Sequence, residues 1–71
     1  MHPVEPTVVE WLQIIRGEYS EIPGLQLTKP QVQRLWGLDT TICDTLLDAL
    51  VDTRFLRRTR TGAYARVGVG Q

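Results

Sequence analysis

Leu27-Thr28-Lys29-Pro30-Gln31-Val32-Gln33-Arg34-Leu35-Trp36-Gly37-Leu38-Asp39-Thr40-Thr41-Ile42-Cys43 is the stretch that decides the fold of this chain. Thr28 is placed to cap a helix, because its hydroxyl oxygen can accept from a free backbone N–H of the first turn. Gln31, three residues on, can reach back to the Thr28 amide and complete a capping box. Leu27 and Val32 flank the cap at the spacing of a hydrophobic staple. Pro30 falls in the first turn, where a missing N–H costs nothing. Val32, Leu35 and Trp36 recur at helical spacing and predict one apolar face. Gly37 ends the helix, since it takes the left-handed conformation without a Cβ clash. Asp39 can cap another helix at once, with Leu38 and Cys43 as a second staple. The predicted unit is a helix over about Lys29–Trp36, a three-residue turn, and a helix over about Thr40–Thr53. That order is a helix-turn-helix motif.

On the N-terminal side, Val8, Trp11, Leu12, Ile15 and Tyr19 recur at three- and four-residue steps. They predict a helix from Thr7 to about Tyr19 with a core-facing stripe. Pro6 can open it, with Glu5 near its positive end, and Gly17 weakens its last turn. Glu21-Ile22-Pro23-Gly24 reads as a turn, and Leu25-Gln26-Leu27 as a short strand. On the C-terminal side, Cys43, Leu46, Leu47, Leu50 and Val51 form the buried stripe of the third helix, flanked by Ile42. Phe55–Thr59 reads as extended, Arg60-Thr61-Gly62 as a turn, and Ala63–Val67 as a strand pairing back. A lone hairpin is marginal in water, so this one needs the Leu25–Leu27 strand or packing under the third helix. Residues 1–6 and 68–71 are expected to be flexible termini, leaving one domain over 7–67.

Seventy-one residues make one domain near the lower limit for an unaided core. No apolar run approaches the ~20 residues that cross a bilayer, and the N-terminus lacks the pattern of a signal peptide. A cytoplasmic, reducing location is expected, and the single cysteine, Cys43, fits it. Eight basic and eight acidic residues cancel, which argues against a strong general attraction to nucleic acid. The charges are segregated, however. Asp39, Asp44, Asp48 and Asp52 come without a basic residue among them, and Arg54, Arg57, Arg58, Arg60 and Arg66 follow without an acid.

Helix, short strand, helix, turn, helix and hairpin, in a chain of this length, resemble the winged helix-turn-helix superfamily of bacterial transcription regulators. They also resemble small stand-alone bacterial domains of that architecture. The resemblance rests on Leu27-Thr28, on Gly37-Leu38-Asp39, on Leu46-Leu47-Asp48-Ala49-Leu50-Val51 before Phe55-Leu56-Arg57-Arg58, and on Thr61-Gly62-Ala63-Tyr64 at the place of a wing tip. It implies an α+β fold of three helices and a small antiparallel sheet with a C-terminal hairpin wing. It also implies a nucleic-acid-binding, regulator-like module acting on double-stranded DNA. Residue by residue, the groove-reading positions would be Thr40, Thr41, Asp44, Thr45 and Asp48. Wing contacts would come from Arg57, Arg58, Arg60 and Arg66, and Lys29 and Arg34 could add phosphate contacts.

Asp44, Asp48 and Asp52, four residues apart on one side of the third helix, depart from that pattern. Each would approach phosphates, and phosphate neutralisation dominates DNA affinity. A like-sign contact near 4 Å costs about 4 kcal/mol at an effective dielectric of ~20, before screening. Three readings of this face stay open: a solvated surface, a docking surface for a basic partner or the arginine hairpin of a second copy, and DNA binding led by the wing. The arginines likewise are either charged protection of an edge strand or a phosphate-binding wing. Arg57 and Arg58 point to opposite faces, whereas Arg58 and Arg60 could join Arg66 in the right register.

Catalytic chemistry is not expected. His2 is the only histidine, Cys43 falls on a buried stripe, and no zinc-site spacing, phosphate-cradling glycine loop or nucleophile-base-acid set is visible. The chain reads as a non-enzyme with no cofactor, no metal and no membrane partner. Trp11 and Trp36 sit at core-facing helical positions, which favours packing over stacking on bases.

Overall fold

The computed structural model describes residues 6–68. The flexibility expected of residues 1–5 and 69–71 concerns positions outside them. The fold is α+β, with three helices and a small three-stranded antiparallel sheet. Its elements in order are α1 (Val8–Glu21), β1 (Gln26–Thr28), α2 (Lys29–Trp36), α3 (Thr40–Asp52), β2 (Leu56–Arg58) and β3 (Ala63–Arg66).

Each helix is fixed by its ends. Before α1, Thr7 accepts from the Glu10 amide at 3.2 Å while the Glu10 carboxylate accepts from the Thr7 amide at 2.8 Å. This reciprocal box starts the helix after Thr7 and not at Pro6. The helix also passes through Gly17 and Tyr19 to Glu21, two residues beyond the expected end. Thr28 and Gln31 make the same box at α2. Gly37 has φ +63°, and the Leu38 amide donates to the Gln33 carbonyl at 3.0 Å, closing the helix in a Schellman arrangement. Asp39 accepts from the Ile42 amide at 2.8 Å and starts α3.

The C-terminus of α3 repeats that arrangement with a different residue. Phe55 N–H donates to Leu50 C=O at 2.9 Å and Arg54 N–H to Val51 C=O at 3.0 Å. The residue held left-handed is Arg54, at φ +65°. A side chain in that region is uncommon and carries a steric cost that glycine does not.

The strand order is β1-β3-β2, so the last strand in sequence lies in the centre. Leu27 and Arg58 both stand opposite Tyr64, and Leu56 stands opposite Arg66. β1 occupies 26–28, one residue later than the alternation suggests, because Thr28 serves both as the last strand residue and as the cap of α2. The link from β2 to β3 is four residues long, Thr59 to Gly62. Thr59 N–H donates to Ala63 C=O at 2.7 Å, Gly62 N–H donates to Thr59 C=O at 3.0 Å, and Gly62 adopts φ +86°. A tight turn followed by a left-handed glycine matches the twist of paired strands.

One apolar interior holds these elements together. Ile15, Tyr19, Val32, Cys43, Leu46, Leu47, Leu50, Leu56 and Tyr64 form it, with Trp11, Trp36, Leu38 and Phe55 packed at its margin. α3 contributes four of the nine buried residues, more than any other element, as its apolar stripe predicts. Two expectations fail. Val8, placed on the core stripe by its spacing, is 47% exposed, and the part of the stripe that packs on the core begins at Trp11. Leu35, placed on the apolar face of α2, is 58% exposed. The eight residues of α2 turn only one side to the interior, and Val32 alone among them is fully buried.

Candidate nucleic-acid interface

α3 presents Thr40, Thr41, Asp44, Thr45, Asp48 and Asp52 away from the core, with Asp44 half-buried and the other five exposed. The hydroxyls at its start already have partners. Gln33 Nε2 donates to Thr40 Oγ1 at 3.1 Å, bracing α2 against α3 across the turn. The Thr40 hydrogen is left free to donate outward. Thr45 donates to Thr41 C=O at 3.0 Å within the helix and retains lone pairs that face solvent.

Lys29, the first residue of α2, forms an ion pair with Asp44. Hydrogen bonding to Asp44 raises the Lys29 ammonium above the ordinary lysine range. The acidic row is therefore not uniform. Asp44 carries its own counter-charge, whereas Asp48 and Asp52 have no ion-pair partner among the described residues. Cys43, next to Asp44 in the chain, approaches the Lys29 backbone. Its thiol donates weakly to Lys29 C=O at 3.9 Å, and burial pushes its pKa up although Lys29 opposes the shift. A fully buried thiol with a raised pKa is a packing residue and a poor nucleophile.

The sheet divides the arginines. Residues directly opposite in an antiparallel pair share a face, so Arg58 and Arg66 lie on the side of Tyr64 and Leu56, facing the helices. Arg57, opposite Ala65, lies on the other side. Arg60 is in the turn. Arg58 and Arg66 thus share a face, as one of the possible registers allows, but each rests on a different ring. The Arg58 guanidinium lies 5.8 Å from the Tyr64 centroid, and that of Arg66 lies 5.2 Å from the Phe55 centroid. Arg58 also lines a shallow depression with Asp48, Val51, Asp52 and Tyr64, so the unpaired end of the acidic row meets the basic strand there. Arg34 is exposed near Leu27, Gln31 and Leu35 on the outer side of α2, separate from these groups.

Three features lie beyond the sequence reading. The Thr7–Glu10 box has a visible signature, Thr-x-x-Glu before an apolar run, and could have been found. The Lys29–Asp44 pair joins two elements and has no local signature. The approach of Arg16 to Phe55, at 5.1 Å, depends on how α1 lies across the sheet. Among the described residues no three His, Cys, Asp or Glu side chains converge as a metal site, and no helix is long and apolar enough to cross a membrane. The chain matches no protein family, no curated protein and no solved structure with which it was compared.

Proposed function

We propose that this domain is a winged helix-turn-helix module that binds double-stranded DNA, with the β2–β3 hairpin as its wing and the wing arginines leading the contacts. One observation carries the reading. Arg57, Arg58, Arg60 and Arg66 lie on or between two paired strands, and no acidic residue follows Asp52 anywhere in the chain. A cationic ribbon of this kind neutralises phosphates. Thr40 and Thr41, in the first turn of α3, and Thr45, one turn on, would approach the same duplex, as would Arg34 and Lys29, the latter in competition with Asp44. Asp48 and Asp52 lie further along α3, beside Arg58, where their charge would oppose a phosphate approaching that arginine from the α3 side.

The test is a titration of fluorescent duplex DNA at low and moderate salt. Binding should weaken steeply with salt and be largely lost in Arg58→Ala/Arg60→Ala. Equal affinity of this variant and the parent would remove the wing from the mechanism.

A second reading rests on Asp48 and Asp52, which are exposed and have no ion-pair partner among the described residues. They would suit a basic protein partner, or the arginine ribbon of a second copy. Concentration-dependent dimerisation without any DNA affinity at low salt would favour it.

A further inference from the structure

We propose a second anion site, for phosphate groups, made by Arg16 of α1 and Arg66 of β3 on the ring of Phe55. It lies at the root of the β2–β3 pair, away from the turn that carries Arg60. The two guanidinium carbons stand 5.1 and 5.2 Å from one ring centroid. They are therefore no more than about 10 Å apart, a span that two linked phosphates can cover with one guanidinium on each. Phe55 is held in place from beneath. Tyr19 meets it edge-on at a centroid distance of 6.4 Å, and the Tyr19 hydroxyl is anchored to Tyr64 C=O at 2.8 Å. Backbone bonds to Leu50 and from Val67 fix the ring's residue at both its amide and its carbonyl.

Stacking on an aromatic face orients a guanidinium without using its N–H donors. Two such groups on one fixed ring present donors in a preset arrangement, so less side-chain entropy is lost when an oxyanion binds. Neither arginine has a carboxylate within ion-pair distance among the described residues. Their mutual repulsion is thus uncompensated by any ion pair there, and a bound anion relieves it. Arg16 is exposed and Arg66 half-buried, so the donors are open to solvent. Two guanidinium groups so placed fit a phosphate-type oxyanion, which both a nucleic-acid backbone and a free polyphosphate supply.

The experiment is an NMR titration of the isotopically labelled chain with inorganic pyrophosphate and, separately, with a short duplex. It follows the arginine Nε–H signals and the amides of Phe55 and Val67. Arg16→Gln and Arg66→Gln are compared after their amide dispersion shows that they are folded. A pyrophosphate response at Arg16 and Arg66 that either variant reduces at least tenfold in affinity supports the site with a free anion as ligand. The same response to duplex, accompanied by a fall of about one in the salt slope for Arg16→Gln, supports it with the backbone as ligand. No response of these signals to either probe, or a response that survives both substitutions, overturns it. A pyrophosphate response in a chain that ignores duplex would retire the DNA reading and leave this site standing.

Discussion

Lys29 and Asp44 face each other across the joint between α2 and α3 and share one ion pair. Both side chains remain substantially open, at 37% and 45% exposure, so the pair serves less as a stabiliser than as a local correction of charge. Asp44 and an approaching phosphate would then compete for Lys29. Asp44→Asn should release Lys29 and steepen the dependence of DNA affinity on salt by up to about one in the log–log slope. Lys29→Ala should flatten it by less than Arg58→Ala does. Anisotropy titrations at four salt concentrations measure both slopes.

The hydrogen bond from Tyr19 to Tyr64 C=O ties α1 to the central strand. Tyr19→Phe leaves that carbonyl without this donor and should cost about 1–2 kcal/mol. For a domain of this size that is a fall of roughly 4–8 °C in Tm per kcal/mol. Calorimetry or a thermal melt followed by circular dichroism gives the value.

Burial pushes the Tyr19 phenol up to about 12 from its ordinary 10.0. The folded state then holds this proton more tightly than the unfolded chain does. The resulting stability is fully present below pH 10 and is lost as pH rises from about 10 to about 12, an effect on the order of 2 kcal/mol. Denaturant midpoints taken across that window should fall more steeply in the parent than in Tyr19→Phe.

Arg54 occupies a left-handed position that glycine fills at the end of α2. Replacing it with glycine removes a steric cost of roughly 1–2 kcal/mol and adds unfolded-state entropy worth about 0.4–1 kcal/mol. The net expectation for Arg54→Gly is a gain of roughly half to one kcal/mol, read as a higher denaturant midpoint at unchanged m-value.

The two apolar positions of α2 should separate cleanly. Val32→Ala opens a gap in the core, where Val32 is 0% exposed, and should cost on the order of 2 kcal/mol. Leu35→Ala acts on a side chain 58% exposed and should stay within about 0.5 kcal/mol of the parent. Leu46→Ala, at the centre of the interior, should cost about 2–5 kcal/mol, a large share of the roughly 4–10 kcal/mol available to a chain of this length. Urea unfolding of the three variants tests the order.

That contrast also shows what was legible in the chain. Thr28, Pro30, Gln31, Gly37 and Asp39 act on backbone groups within a few residues, so their pattern determined α2, the turn and the start of α3 without tertiary knowledge. The stripe Cys43, Leu46, Leu47 and Leu50 was equally readable, because α3 is long enough to set a period. Leu35 and Val8 misled because periodicity gives the side of a helix and not how far the core extends beneath it. The partners of the charged groups were illegible for another reason. Whether Lys29 meets Asp44, or Arg66 meets Phe55, depends on crossing angles and strand register, and neither is encoded locally.

The measurement that bears most directly on the wing-led account is a map of duplex DNA onto the amide spectrum of the labelled chain at low salt. The account predicts that the largest shifts fall on Arg57, Arg58, Arg60 and Gly62, with smaller ones at Thr40 and Thr41 and little change at Asp48 and Asp52. A spectrum unmoved by duplex, or one whose shifts centre on Asp48 and Asp52, would contradict it.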